Sequence, residues 1–174
     1  MNNLPNQFKV GPFNFETSLN KTSTIIKMVS NTSKFYSSDY KKTSGLLWQE
    51  LPEIFTCKCF NGFHRSFFEE VRDTEMAHLF EHIFIQYFCN VKSATAEVEC
   101  ECSGETVWNW DQDVPGTFFI TIDVGSEELD NISKALAKTM VLFEKIVAKP
   151  EREGILFPDP EPVLVPVPAY LQIE

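Results

Sequence analysis

Residues 74–88 read TEMAHLFEHIFIQYF, and this stretch decides the fold because it places two kinds of side chain on opposite sides of one helix. At about 100° per residue, the apolar side chains gather on one side: Met76, Leu79, Phe80, Ile83 and Tyr87. The other side carries ionisable groups within roughly 40° of one another: His78, His82 and Cys89, flanked by Glu75 and Glu81. The pattern predicts one face in the core and one face of imidazoles and carboxylates.

The segments before this helix predict a mixture of strands and helices. Asp73 or Thr74 can cap the helix, which we expect to continue to about Phe88. An earlier helix should stop before Pro52, because a proline disfavours the helical conformation in the residue before it. The upstream elements are then strands at 13–15 and 24–29, a helix at 40–51, an extended segment at 54–60, a turn at 61–63 and a short helix at 66–72.

The segments after the helix predict a hairpin and a second long helix. Residues 96–102 alternate strictly, with Ala96, Val98, Cys100 and Cys102 on one side and Glu97, Glu99 and Glu101 on the other. Turn residues at Gly104 and at 111–116 lead to a strand at 117–124, and so short a connection favours antiparallel pairing. Gly125 and Ser126 then open a helix to about Ala148 with an apolar stripe: Leu129, Ile132, Leu136, Met140, Phe143 and Ile146.

This order of elements predicts an α+β fold, a two-layer domain with a mostly antiparallel sheet and helices packed on one face. At 174 residues with 43% hydrophobic residues, the chain is long enough for one domain with its own core. We therefore treat residues 1–174 as a single domain. Residues 158–174 hold five prolines and should form an extended tail, because proline cannot occupy a central strand.

Composition limits the partners of the protein. The net charge of −10 disfavours nucleic-acid binding and favours cationic partners. No apolar run reaches the ~18 residues that a membrane span needs. The first seven residues lack the basic-then-apolar order of a signal peptide, so we expect a cytoplasmic protein. Its five cysteines include no CxxC pair, and reduced thiols are then the expected state.

The sequence His78-x-x-Glu81-His82 is typical of a metal site. Two histidines at i and i+4 are neighbours on a helix, so their imidazole nitrogens can reach one tetrahedral ion, Zn²⁺ or another divalent metal. The intervening glutamate can take a proton from a water molecule that the ion activates. His-x-x-Glu-His is the inverted form of the zincin signature. A solvated polar face with contacts between i and i+4 is the alternative.

A metal site of this kind needs a third protein ligand, and the sequence leaves several choices. Glu128 at the start of the long helix is preferred, although a carboxylate is also favoured there by the helix dipole. The other candidates are Glu127, Glu105, Glu75, Cys89 and His64.

Several motifs in residues 46–148 resemble the N-terminal domain of cyanophycin synthetases. Residues 46–82 carry the most specific part, in order: Leu46-Leu47, Leu51-Pro52, Cys59, Gly62-Phe63, Arg72, Thr74 and His78-x-x-Glu81-His82. Gly104-x-Thr106 and Pro115-Gly116-x-Phe118 follow the same family more loosely. The helix–strand–strand–helix order with this motif is also similar to half a domain of the pitrilysin and insulinase-type metallopeptidases.

The two resemblances imply a chemistry for the motif. In the synthetase family the domain holds an arginine-rich aspartate polymer, and in some members it looks like a hydrolase that trims the polymer. In the metallopeptidases the two histidines hold zinc and the glutamate is the base. Carried over, His78 and His82 would be metal ligands and Glu81 the base.

Two classes of function remain open at this stage. The first is a metal-dependent hydrolase of a peptide or peptide-like amide. The second is a non-catalytic module or subunit that recognises a cationic peptide or polymer through the acidic strand face of Glu97, Glu99 and Glu101. Exposed strand edges and the proline-rich tail also leave room for a homodimer or for docking on a larger enzyme.

Overall fold

The protein forms an open five-stranded antiparallel sheet with helices on one face. The computed structural model describes residues 4–32, 40–60, 66–94 and 100–148. Within these ranges the strands are β1 (Gln7–Val10), β2 (Phe13–Leu19), β3 (Thr24–Ser30), β4 (Gly104–Val107) and β5 (Thr117–Ile122). They lie in the order β1-β2-β3-β5-β4, and every neighbouring pair is antiparallel.

Four α-helices in the described residues complete the fold: α1 (Tyr40–Glu50), α2 (Phe67–Glu70), α3 (Met76–Ser93) and α4 (Leu129–Val147). An aromatic cluster joins the two long helices to the sheet. The ring of Phe15 on β2 lies 4.8 Å from that of Phe80 on α3 and 6.2 Å from that of Phe143 on α4. Because both helices reach the same strand residue, they pack on the same side of the sheet, and the predicted α+β fold is confirmed.

Buried and more exposed side chains alternate along β5, as expected for a sheet that is covered by helices on one face. On β5, Phe118, Ile120 and Ile122 are fully buried, and the register sets them beside Met28, Ile26 and Thr24 of β3. The intervening Phe119 and Thr121 point to the other face and are less buried. The alternating pattern predicted for this strand is therefore confirmed, with the strand ending at Ile122.

Helix α3 differs from its prediction at both ends and in its surroundings. It begins at Met76 after Glu75, which makes no side-chain capping bond, and it continues to Ser93 rather than ending near Phe88. The predicted caps, Asp73 and Thr74, do not cap it. The face of imidazoles and carboxylates is also covered, since Glu81 and His82 are only 4% and 6% exposed. Elements on the second side of the helix, including α2 and β4, account for this burial.

Two other predictions on this side of the molecule need correction. Residues 54–60 are not extended throughout, because Pro52–Thr56 forms a 3-10 turn with proline at its start, where no backbone donor is needed. Of the predicted strand at 96–102, residues 95–99 lie outside the described residues and 100–103 are irregular. The first strand of the hairpin is β4, and it begins at Gly104, which the sequence predicted as a turn.

The long C-terminal helix follows its prediction closely. A 3-10 turn at Ser126–Glu128 leads into α4, which ends at Val147. Of the predicted stripe, Ile132, Leu136, Phe143 and Ile146 are buried, while Leu129 and Met140 are partly buried. A salt bridge of 2.6 Å between Lys145 and Glu50 joins the last turn of α4 to the end of α1.

The cysteines are not all thiols. Cys89 on α3 and Cys100 form a disulfide, with a Cα–Cα distance of 5.2 Å, whereas Cys57, Cys59 and Cys102 are thiols. The expectation of five reduced cysteines is therefore corrected. The pairing arises because α3 continues past Phe88 and brings Cys89 beside the segment that leads into β4.

Some sequence predictions fall on residues that the structure does not describe. They are the turn at 61–63, His64, Glu97, Glu99 and the tail at 158–174. Among the described helices, none combines the length and hydrophobicity needed to span a bilayer.

We expect the Cys89–Cys100 disulfide to stabilise the fold. Closing a loop with a sequence separation of 11 restricts the unfolded chain, and the model of loop entropy gives about 2–3 kcal/mol for a loop of this length. Urea unfolding with and without a thiol reductant should show a lower free energy of unfolding in the reduced protein. The double variant Cys89→Ser/Cys100→Ser should have the same free energy of unfolding as the reduced protein, with or without the reductant. Equal stability of the wild-type protein in both redox states would contradict this prediction.

Candidate metal centre

Three metal-ligating side chains meet on the second side of α3. His78 and His82 come from adjacent turns of the helix, and Cys59 comes from the segment after the 3-10 turn. Nε2 of His78 lies 3.1 Å from Nε2 of His82 and 3.4 Å from Sγ of Cys59. One ligand atom from each of the three residues lies within 4.8 Å of the others. Among the described residues, this is the one such group of three or more.

The two spacings measured from Nε2 of His78 are close to those around a tetrahedral ion. With Zn–N near 2.05 Å and Zn–S near 2.3 Å, two ligands of a regular tetrahedron are about 3.3 Å apart for N···N and about 3.6 Å for S···N. The observed 3.1 and 3.4 Å differ from these values by a few tenths of an ångström. One thiolate and two imidazoles also suit zinc, and three protein ligands leave a fourth position open to substrate or water.

The far nitrogen of His78 is held by two polar side chains. Its Nδ1 lies 2.8 Å from Oγ1 of Thr74 and 3.9 Å from Oε1 of Glu70, and both residues are buried. A hydrogen on Nδ1 can be donated to Oγ1 of Thr74, which leaves Nε2 with a lone pair directed at Cys59 and His82. Such outer partners fix the tautomer and the ring orientation of histidines that bind metals.

Burial keeps both imidazoles neutral. Removal from water, and to a lesser extent the adjacent His78, lowers the pKa of His82 from 6.5 to about 3. The pKa of His78 is also lowered by burial, although the carboxylate of Glu75 opposes the change. The ring of His82 packs against that of Phe67 on α2, with centroids 4.2 Å apart. Neutral imidazole is the form that binds a metal ion.

Glu81 faces β4 from the same part of α3. Burial raises the pKa of its carboxyl group from 4.5 to about 7, a hydrogen bond from Thr106 lowers it, and the nearby charge of Glu105 raises it. The hydroxyl of Thr106 donates to Oε2 of Glu81 at 2.5 Å. A carboxyl group with a pKa near neutrality can exchange a proton in either direction at physiological pH, as general acid–base catalysis requires.

A cleft connects this group to solvent. It has a volume of about 1120 Å³ and is lined by Cys59, His78, Glu81 and His82, among other residues. Phe60, which is 73% exposed, and Trp108, which is 44% exposed, also line it. The cleft is large enough for a segment of peptide, since binding sites for small molecules commonly measure about 300–1,000 Å³.

The other candidates for a third ligand do not join the group. Glu128, the preferred choice from sequence, accepts hydrogen bonds from Lys92 at 2.8 Å and from Asn131 at 2.7 Å. These bonds hold its pKa below the usual range, so its carboxylate is already engaged. Glu127 is exposed, Glu75 and Glu105 line the cleft outside the ligand group, and Cys89 is in the disulfide. His64 lies outside the described residues.

Cys59 is the residue that sequence reasoning overlooked as a ligand. It lies 19 positions before His78, in a segment predicted to be extended, and periodicity carries no information across such a gap. The available signals were its place among the motifs on which the resemblance of residues 46–148 was predicted, and the preference of zinc for thiolate.

The acidic strand face expected for a binding module is only partly described. Glu101 is exposed, while Glu97 and Glu99 lie outside the described residues. Carboxylates do line the cleft itself, at Glu70, Asp73, Glu75, Glu81 and Glu105.

No family model matches the chain, and no curated protein matches it.

Opposite effects of pH on stability should separate the two buried titrating groups in metal-free protein. The pKa of His82 is depressed on folding, so its contribution is complete above pH 6.5 and is lost as pH falls from 6.5 toward 3. The pKa of Glu81 is raised, so its contribution is complete below pH 4.5 and is lost as pH rises through about 7.

Urea unfolding of chelator-treated protein between pH 4 and 8 measures these effects. The stability of wild type relative to His82→Gln should fall as the solution is acidified below pH 6.5. The stability of wild type relative to Glu81→Gln should rise as the pH falls from 7 to 4.5. Two differences with the same sign of slope would show that the two groups are not both buried in this way.

Proposed function

We propose that this protein is a metal-dependent hydrolase of a peptide or peptide-like amide. One observation carries the proposal, namely that Cys59, His78 and His82 present three ligand atoms within 4.8 Å of one another. Glu81 lines the same open cleft as these ligands. Soft thiolate and imidazole ligands favour zinc over magnesium or calcium.

The residues of the chain have distinct tasks in this proposal. Cys59, His78 and His82 hold the ion, and Thr74 and Glu70 orient the ring of His78 from behind. A divalent ion at this position supplies a Lewis acid that polarises a carbonyl group and makes water more acidic. Glu81 accepts the proton of the attacking water and returns it to the leaving amine, a role suited to a carboxyl group whose pKa is raised to about 7.

The substrate class follows from the shape of the cleft and from the motif. The cleft opens to solvent and has a volume of about 1120 Å³, so a segment of chain can enter it. The resemblance of residues 46–82 to the cyanophycin synthetase domain, and of the motif to metallopeptidases, supports an amide bond as the target.

Metal content tests the first half of the proposal. Protein purified without chelator or a metal-affinity column should contain about one zinc or similar ion per chain, as three protein ligands at one centre require. His78→Ala and Cys59→Ala should lose the ion, because two protein ligands seldom hold zinc. Plasma emission spectrometry measures the ratio of metal to protein.

Cys102→Ala is the matched control for Cys59→Ala. Cys102 is a free thiol that lines the same cleft but is not part of the ligand group, so its removal should leave the metal content unchanged. Wild-type protein that neither carries metal nor takes up added zinc would refute the hydrolase proposal.

Glu81→Gln tests the second half of the proposal. The amide keeps the size of the side chain but cannot accept the proton, so metal content should stay the same while hydrolysis falls by about 100-fold or more. Mass spectrometry of a mixed short-peptide library, incubated with each protein, measures cleavage. Glu127→Gln, which alters an exposed carboxylate that does not line the cleft, should remain active. Equal cleavage by Glu81→Gln and wild type would exclude Glu81 as the base.

A binding module for a cationic peptide or polymer is the second candidate. The carboxylates that line the cleft favour it, because they offer partners for arginine and lysine side chains. Binding of an arginine-rich peptide that persists unchanged after chelation, without any cleavage, would support this function over the hydrolase.

A further inference from the structure

We propose that Gly104 and Thr106 are positioning residues that fix the carboxylate of Glu81 and make its Oε1 the oxygen that accepts the proton. The inference rests on the proposed hydrolytic function and deepens it. Gly104 and Thr106 are two apart on β4, so both occupy the sheet face that carries the helices, whereas Glu105 between them occupies the other face.

Thr106 restrains a side chain that is otherwise flexible. A glutamate has three rotatable side-chain bonds, and burial alone does not select one arrangement of them. The hydroxyl of Thr106 donates to Oε2 at 2.5 Å, which fixes the position of that oxygen. Thr106 is itself held by the sheet, since it lies opposite Ile120 on β5, and Ile120 is fully buried.

Gly104 provides the space into which the carboxylate fits. A Cβ atom at this position would lie 3.0 Å from Oε1 and 3.1 Å from Cγ of Glu81. It would also lie 2.9 Å from Cδ1 of Ile122, so a side chain here would be squeezed from two directions. The lack of a side chain, and not an unusual backbone conformation, is thus the property of glycine that this position uses.

The two carboxylate oxygens of Glu81 differ in their hydrogen bonding. Oε2 is engaged by Thr106, and no hydrogen-bond partner for Oε1 is found among the described residues. No side-chain nitrogen or oxygen in that part of the chain is both fully buried and without a partner, so Oε1 keeps contact with the solvent of the cleft. Oε1 is therefore the oxygen available to a water molecule.

Acetohydroxamic acid bound to cobalt-substituted protein tests the inference without an assay of hydrolysis. The hydroxamate binds a metal through two oxygens and donates its proton to an adjacent carboxylate, so its affinity reports the position of Glu81. Cobalt absorption gives both the metal stoichiometry and the dissociation constant. Thr106→Val keeps the shape of the side chain and loses the hydroxyl, whereas Thr106→Ser restores the hydroxyl.

At unchanged cobalt stoichiometry and melting temperature, we expect Thr106→Val to weaken hydroxamate binding by roughly tenfold, as the loss of one hydrogen bond to a charged group would. Glu81→Gln should weaken it at least as much, and Thr106→Ser should bind within about threefold of wild type. Gly104→Ala should resemble Thr106→Val. If it fails to fold because of Ile122, the valine and serine variants still decide the matter.

The outcomes separate the inference from the function on which it rests. Absence of cobalt binding by wild type would overturn both. Cobalt binding with a loss of affinity in Glu81→Gln but none in Thr106→Val would leave the hydrolase standing and overturn the positioning role. A loss in Thr106→Val that Thr106→Ser does not restore would assign the effect to packing and would also overturn it.

Discussion

The site depends on the burial of α3 on two sides. A helix at the edge of a two-layer domain normally turns one face to the sheet and the other to water. Here the second face is covered as well, because the ring of Phe67 of α2 packs against that of His82 and Thr106 of β4 is hydrogen-bonded to Glu81. Charged imidazolium is disfavoured in such surroundings, and neutral carboxylic acid is favoured. The same packing therefore keeps the imidazoles of His78 and His82 neutral and raises the pKa of the Glu81 carboxyl group to about 7, all within five consecutive residues.

The β4–β5 hairpin links this chemistry to the core. Its inner strand, β5, lies between β3 and β4 and contributes Phe118, Ile120 and Ile122 to the core, while β4 is an edge strand of four residues. A short edge strand is usually easily displaced. Here Asp123 accepts hydrogen bonds from the backbone and the hydroxyl of Ser103, which hold the start of β4 in register. The disulfide at Cys100 restrains the same segment three residues earlier.

Sequence periodicity correctly predicted the elements that bury only one face in the core. The stripe of α4 and the alternation of 117–124 are examples, because each element faces a single core. The burial of His82 could not be predicted in this way, since a helical wheel shows which residues share a face and not what covers that face. Gly104 was assigned to a turn because local sequence cannot distinguish a turn glycine from one that makes room for a side chain distant in sequence. Cys59 required the same kind of non-local knowledge.

The distance of 3.1 Å between the Nε2 atoms of His78 and His82 shows where a hydrogen lies in the metal-free centre. Two neutral imidazoles can approach this closely only if one of the facing nitrogens carries a hydrogen and the other accepts it. In metal-free protein the pair therefore shares a hydrogen at the place where an ion would bind, and an incoming ion must displace it. That hydrogen can move to the second nitrogen of its own ring, so the histidines stay neutral, whereas the thiol of Cys59 must release its proton to become the thiolate that binds an ion. Occupancy of the centre is then set by the ratio of free metal to free protons in its surroundings, and not by the metal concentration alone.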